Sequence, residues 1–125
     1  MGNAKLRDVI WDSLGCTEMQ TKDIIDTMLS DVALFDKKQH DYGPNNIAKF
    51  GITGVLVRSS DKLERLINLE TISVDSVQHA PARNESIKDS WQDLSVYGAI
   101  ARVLMEDNWM CEGETSKKQE VTDEE

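Results

Sequence analysis

Apolar residues recur at helical spacing along most of this chain, and turn-forming residues separate the segments in which they do so. Residues 4–14 carry Leu6, Val9 and Ile10 at intervals of three and one, followed by Leu14, and Gly15 comes next. Apolar residues spaced in this way share one face of an α-helix. The pattern predicts a short amphipathic helix over residues 4–14 that ends at the glycine.

A longer helix is predicted to follow. Residues 17–20 have the form of a capping box, which is a helix-start signal. The apolar residues of the segment again fall on one side of a helix: Ile24, Ile25, Met28, Leu29, Val32 and Phe35. We expect the helix to run to about His40 and to end in the sequence 41–44, where Gly43 allows a left-handed exit and Pro44 prevents continuation.

The second half of the chain predicts two more long helices. Asn45 or Asn46 can cap a short helical stretch, and the glycines at 51 and 54 predict a bend before a firm helix over about 52–70. Residues 71–83 contain Pro81 and predict a connecting loop, after which Asn84 is predicted to cap the last helix. The apolar side of that helix is Ile87, Trp91, Leu94, Gly98 and Ala101, extended by Ile100, Leu104 and Met105. No strand pattern persists, so the predicted fold class is all-α, with three substantial helices and one or two short ones.

Composition narrows the class of protein. The chain has 125 residues, of which 39% are hydrophobic and 30% charged, and its net charge is −9. We expect a single domain over residues 1–109, followed by an acidic, disordered tail over 110–125. Nucleic acid and anionic membranes attract basic surfaces, so this charge argues against both as direct partners. No apolar run approaches the length of a membrane-spanning helix, and a cytoplasmic location is expected.

Two pairs of acidic residues are the strongest chemical signal. Asp61 and Glu64 are three residues apart, and Glu85 and Asp89 are four apart, so each pair shares one helix face. On antiparallel neighbouring helices the two pairs would form a four-carboxylate site for Mg²⁺ and a phosphorylated ligand. Asp93 continues the second pair by another four residues. Oxygen ligands alone favour Mg²⁺ or Mn²⁺.

The same region also carries candidates for contacts with a phosphorylated ligand. The cations are Arg58, Lys62, Arg65 and Lys49, and the aromatic and amide side chains are Tyr42, Asn68, Phe50 and Trp91. The alternative is a solvated helix face laced with ion pairs, with Trp91 in the core. Because the helix at 52–70 is apolar on much of its circumference, we expect it to be central and its charged stripe to face an internal cleft.

The acidic pattern carries a resemblance to a known family. Residues 41–43, 57–66 and 85–89 resemble the matching segments of the all-α nucleoside triphosphate pyrophosphohydrolases, the MazG-like superfamily, and more closely its phage-associated nucleotide-modification branch. The resemblance covers about residues 20–108. It departs from the family at Asp61, where a glutamate is usual, and at Glu85, which lies four rather than three residues before Asp89.

The resemblance implies a MazG-like helical bundle whose four-helix unit is completed in a homodimer or homotetramer. It also implies Mg²⁺-dependent hydrolysis of a nucleoside triphosphate to the monophosphate and pyrophosphate, with a purine dNTP such as dGTP or dATP as the expected substrate. Such an enzyme would serve phage nucleotide metabolism or base modification, in the host cytoplasm if phage-encoded. The implied catalytic residues are Asp61, Glu64, Glu85 and Asp89. The residues expected to contact the phosphates are Arg58, Lys62, Arg65 and Lys49, and those expected to contact the base or sugar are Tyr42, Asn68, Phe50 and Trp91.

Two other functions stay open. The two departures are compatible with a protein that binds and sequesters a nucleotide without hydrolysing it. The acidic composition is compatible with a DNA mimic that blocks a basic partner, for which the carboxylates should face solvent and magnesium should have no effect.

Overall fold

The structure is a computed structural model that describes residues 2–71 and 80–110, with side chains for residues 5–70 and 86–110. The described residues form helices and no strands, which confirms the predicted all-α class. The helices are α1 (Gly2–Ser13), α2 (Gln20–Tyr42), α3 (Asn45–Ala48), α4 (Gly51–Thr71) and α5 (Ala80–Met105). Three are long and two are short, as predicted. None of these helices is long and apolar enough to cross a membrane.

Glycines end α1 and α2 as the sequence predicts. Gly15 and Gly43 have φ values of +70° and +76°, in the left-handed region. The Gly43 N–H donates to the Gln39 carbonyl at 2.8 Å, and the Gly15 N–H donates to the Asp12 carbonyl at 3.0 Å. A glycine enters this region without the steric cost that a Cβ atom imposes. The chain can therefore change direction at the end of each helix while the glycine N–H still bonds to a carbonyl of the last turn.

Two predicted helix caps are wrong. Pro44, not Asn45 or Asn46, precedes the first helical residue of α3, and no side chain caps that helix. The last helix begins at Ala80, so Asn84 lies inside α5 instead of capping it. The sequence predicts a loop at Pro81, yet this proline occupies the first turn of α5. Proline is tolerated there because the first backbone N–H groups of a helix have no intrahelical acceptor.

The chain forms two compact units, Met1–Lys38 and Gln39–Glu125. In the first unit, polar contacts join α1 to α2. Arg7 Nη1 lies 3.0 Å from Asp26 Oδ2, and Lys22 Nζ lies 3.3 Å from Asp8 Oδ1. The division into a single domain over 1–109 and a tail stays a prediction, and residues 111–125 of that tail lie outside the described residues.

The second unit is built on the packing of α4 against α5. Its buried apolar residues are Ile47, Val55, Leu66 and Ile100. The chain after α5 turns back to the start of α3, where Trp109 Nε1 donates to the Pro44 carbonyl at 2.9 Å. This bond fixes the turn between α2 and α3 to the end of α5.

The prediction that the fourth helix is central is wrong for this unit. On α4, Leu56 is 65% exposed and Leu63 49% exposed, whereas a central helix would have its apolar side chains covered. Acidic and basic residues of its charged stripe, Asp61 and Arg65 among them, are exposed rather than enclosed in a cleft. The physical reason is that a helix with one long neighbour in its unit buries only the side that meets this neighbour.

Candidate functional site

Side-chain contacts show how α4 and α5 are aligned. Lys62 Nζ on α4 lies 3.0 Å from Asp93 Oδ2 on α5. One turn further along α4, the Arg65 guanidinium donates to the Ser86 hydroxyl, which lies two turns earlier on α5. Because a higher number on α4 meets a lower number on α5, the two helices are antiparallel. The acidic segments of the two helices are therefore level with each other, as the proposed carboxylate site requires.

Two of the predicted acids are turned to the same side of this helix pair. Asp61 immediately precedes Lys62, which contacts α5, and Asp89 immediately precedes Ser90, which is only 1% exposed against α4. One residue is a rotation of about 100° around an α-helix. When two helices are antiparallel neighbours, the residues that immediately precede the contact residue on each helix point to the same side of the pair. Asp61 and Asp89 share one side of the pair, and both are exposed. We call this side, defined by these two residues, the acidic face.

The other predicted acids occupy different positions. Glu64 lies two residues before the buried Leu66 and is exposed, so it points away from α5. Asp93 lies between the helices, where its side chain is only 14% exposed and pairs with Lys62. Glu85 belongs to α5, one turn before Asp89, but its side chain lies outside the described ones.

The predicted magnesium ligands are of the right chemical type, since carboxylate oxygens suit this hard cation. Within residues 5–70 and 86–110, however, no three His, Cys, Asp or Glu side chains converge closely enough to hold a metal ion. The described acids do not by themselves form the four-ligand site, and the site stays a prediction that depends on Glu85.

Three of the predicted phosphate contacts are engaged with neighbouring polar groups. Besides the bonds of Lys62 and Arg65 to α5, Arg58 Nη2 donates to the Asn46 side-chain oxygen at 3.3 Å. These contacts favour the alternative in which the cations pair with neighbouring polar groups of the chain and not with phosphates. Lys49 differs, since its ammonium group lies over the ring of Phe50, 5.5 Å from the centroid.

The predicted base contacts are separated by the structure. Tyr42 and Phe50 are 70% and 62% exposed near the short helix α3, so both rings are open to a ligand. Phe50 and Arg58 also line a shallow depression beside α3 that is open to solvent and encloses essentially no volume. Small-molecule sites enclose roughly 300 Å³ or more. The depression therefore does not enclose a nucleotide base.

The remaining two base candidates lie on α4 and α5. Asn68 is exposed on α4. Trp91 is 58% exposed, so its interpretation as a core residue is wrong. Trp91 comes one residue after the buried Ser90, whereas Asp89 comes one residue before Ser90. The indole is therefore turned to the side of the helix pair opposite the acidic face. The structure therefore does not bring Trp91 together with Asp61 and Asp89.

Sequence reasoning missed the partners of the cations. Ser86 and Asn46 accept hydrogen bonds from Arg65 and Arg58, and Ser90 donates to the Ser86 carbonyl at 3.0 Å. A signal was present, because Ser86 and Ser90 are small residues one turn apart, and small side chains on one face allow a neighbouring helix to approach closely.

Neither family models nor curated proteins nor solved structures gave a match to this chain. The resemblance to the MazG-like superfamily therefore stays a prediction from the acidic motif.

Proposed function

We propose that this protein is a magnesium-dependent nucleoside triphosphate pyrophosphohydrolase that releases a nucleoside monophosphate and pyrophosphate. The observation that carries the proposal is the antiparallel packing of α4 and α5, defined by the Lys62–Asp93 and Arg65–Ser86 contacts. This packing places two acidic segments, distant in sequence, level with each other and turns Asp61 and Asp89 to one side. Lysine and arginine side chains border the same region, as a polyphosphate ligand requires.

In this proposal the carboxylates hold the metal. Asp61 and Asp89 are the proposed ligands on the acidic face, Glu85 is a further proposed ligand, and Asp93 is the one nearest to the helix interface. Magnesium, when bound, would offset phosphate charge and lower the pKa of a water molecule. Glu64 is the weakest member of the set, because its position on α4 is turned away from α5.

The cations have a second role in the same proposal. Lys62 and Arg65 now bind acceptors on α5, and phosphate oxygens are acceptors of the same kind. A bound triphosphate would therefore compete with Asp93 and Ser86 for these donors, and Lys62 and Arg65 would hold it against the acidic face. Tyr42 and Phe50 are the proposed surfaces for the base, and a purine deoxynucleotide remains the proposed substrate.

The test is an assay for pyrophosphate and monophosphate with each dNTP and Mg²⁺. Loss of a side chain that hydrogen-bonds to a metal ligand costs roughly 10- to 100-fold in activity. Asp61→Asn and Asp89→Asn remove the proposed ligands themselves, so each should lower kcat by more than this. Asp36→Asn, at an exposed acid of α2, is the matched control and should retain the activity. Pyrophosphate release that survives both α4–α5 substitutions would refute the assigned site.

The exposure of the acids favours a second candidate function. Asp61, Glu64 and Asp89 face solvent in a chain of net charge −9, as expected of an acidic protein that occupies a basic partner. Such a protein would release no pyrophosphate and would displace DNA from a basic DNA-binding protein without magnesium. A nucleotide-sequestering protein would instead bind a dNTP in the presence of Mg²⁺ and leave it intact. The same assay, with a binding measurement beside it, distinguishes the three.

A further inference from the structure

The start of α4 carries an aromatic side chain that packs directly on the helix. Phe50 immediately precedes α4, and its side chain is 62% exposed. A Cβ atom added to Gly54 would lie 2.7 Å from Phe50 Cβ and 3.7 Å from Phe50 Cγ. Phe50 therefore lies over Gly54, in space that any side chain at position 54 would occupy. We call Phe50, packed over Gly54, the aromatic platform.

Two glycines make the aromatic platform possible. Gly51 has a φ of +56°, in the left-handed region, and the chain changes direction there as it enters α4. The Gly54 N–H then donates to the Phe50 carbonyl at 3.2 Å, which holds the two residues together. Phe50 Cβ is fixed to the backbone and cannot rotate away from an added side chain. The position of the ring therefore depends on the absence of a Cβ atom at Gly54.

The aromatic platform lies on the same side of α4 as the acidic face. Gly54 immediately precedes Val55, which is 5% exposed. Asp61 immediately precedes Lys62, which contacts α5. Seven residues of α-helix complete two turns to within about 20° and rise about 10 Å. Gly54 and Asp61 therefore share one side of α4 and are two turns apart.

A cation lies between the aromatic platform and the acid. Arg58 lines the same shallow depression as Phe50 and Gly54, and its guanidinium donates to the Asn46 side-chain oxygen at 3.3 Å. The order along this side of α4 is therefore aromatic ring, cation and carboxylate. A metal-bound nucleoside triphosphate presents its base, phosphates and metal in the same order. Every base has a π-face that can stack on an aromatic ring.

We propose that Phe50 is the stacking surface for the nucleotide base and that Gly54 is the positioning residue that aligns it with Asp61. Of the two rings considered for the base, Phe50 is the one packed on α4, whereas Tyr42 is the last residue of α2. The inference rests on the proposed function and adds the residue that sets the distance between base and metal. The base stacks on one open ring face and is not enclosed.

Steady-state kinetics of Gly54→Ala with dGTP and dATP tests the position of the ring. The new Cβ atom displaces Phe50, so KM should rise about 10-fold for both substrates, as expected when a base loses one stacking partner, while kcat changes little. Alanine is the better helix former, so α4 itself should not be weakened. Gly98→Ala is the matched control, because a Cβ atom at this helical glycine of α5 would lie within 4 Å of no atom of the described residues. It should leave KM unchanged.

A second set of variants tests the ring itself. Phe50→Leu removes the aromatic surface and should raise KM as Gly54→Ala does, whereas Phe50→Tyr keeps the surface and should keep the KM of the wild type. Inorganic tripolyphosphate has no base, so its inhibition constant should be the same in every variant. An equal loss of tripolyphosphate and nucleotide would indicate a general structural effect and contradict the assigned role.

Equilibrium binding of a non-hydrolysable dNTP analogue with Mg²⁺ separates this inference from the proposed activity. A wild-type protein that binds the analogue without releasing pyrophosphate from dNTPs, and that binds it more weakly as Gly54→Ala, would refute the activity and support the aromatic platform. Unchanged KM and unchanged analogue affinity in Gly54→Ala and Phe50→Leu would overturn the aromatic platform alone. A wild-type protein that neither binds nor hydrolyses a nucleotide would overturn both.

Discussion

At the scale of single residues, the contact between Lys62 and Asp93 gives two predicted site residues a structural role. One was predicted to bind phosphate and the other to bind metal, and the structure pairs them with each other at 3.0 Å. The Asp93 side chain is 14% exposed and that of Lys62 is 27% exposed. A pair with this burial lies between exposed ion pairs, which contribute up to about 1 kcal/mol, and buried ones, whose disruption costs ~3–5 kcal/mol.

Replacing Lys62 by methionine should therefore lower the free energy of unfolding by about 1–2 kcal/mol. The substitution keeps the length of the side chain but leaves a mostly buried carboxylate without this cation. Urea denaturation of Lys62→Met, Asp93→Asn and the double variant measures the coupling, and the double variant should lose less than the sum of the single losses. Lys88→Met, at an exposed lysine of α5, should be nearly neutral. Strict additivity would show that the ion pair stabilises nothing.

At the scale of elements, the helix ends depend on backbone geometry that a short sequence can encode. Gly43 ends α2 with φ at +76°, and a Cβ atom there would contact nothing within 4 Å. Any cost of adding a side chain at this position is therefore a cost of backbone conformation and not of a clash.

Gly43→Ala should reduce stability by roughly 1 kcal/mol, because alanine pays the left-handed penalty of ~1–2 kcal/mol. Gly43→Asn is the matched variant and should cost less, since asparagine enters this region more readily. Thermal unfolding of the three proteins gives the comparison. Equal losses in the alanine and asparagine variants would mean that something other than φ decides stability at this position.

The packing of α4 against α5 depends on a small residue at their contact. Ser90 is 1% exposed, and its hydroxyl is already bonded to the Ser86 carbonyl of its own helix. Ser90→Leu should cost about 1–3 kcal/mol by overpacking. Ser90→Ala removes only the local bond and should stay within about 1 kcal/mol of the wild type. Urea midpoints in the order wild type, alanine, leucine are expected, and a leucine variant as stable as the alanine one would show that the helices do not approach closely here.

At the scale of the whole molecule, the net charge of −9 must be compensated for the chain to be compact. Sodium chloride screens such repulsion without a binding site. A divalent cation bound among carboxylates would add stabilisation that depends on its concentration. Comparison of the two salts therefore separates a magnesium site from general acidity, and it does so without an activity assay.

Magnesium chloride should raise the melting temperature more than sodium chloride at equal ionic strength. The added stability should reach about 1.4 kcal/mol once free Mg²⁺ is tenfold above its dissociation constant. Asp89→Asn should abolish the difference between the salts, and Asp36→Asn should preserve it. Identical melting curves in the two salts would exclude the magnesium site and favour the acidic interaction protein.

Much of the fold was predictable because helix periodicity and helix ends are local properties. The apolar repeats, Gly15 and Gly43 located α1 and α2 within a few residues. The break before α4 coincides with Gly51, whereas Gly54, also expected to contribute to it, lies inside that helix. The prediction at Pro81 is wrong because proline both breaks the interior of a helix and is tolerated in its first turn. For the candidate site, the sequence located the two acidic helices, whereas their antiparallel packing and the Lys62–Asp93 pair were seen only in the structure.

By itself, the sequence determined that the chain is helical, where most helices lie and which acids share a turn, because these properties depend on residues three or four positions apart. Only the tertiary structure decided which side of each helix is covered. It placed Asp61 and Asp89 on one side of the α4–α5 pair and left Leu63 and Trp91 exposed on the other. The physical reason is that periodicity defines a face, whereas burial of that face depends on the neighbour that packs against it.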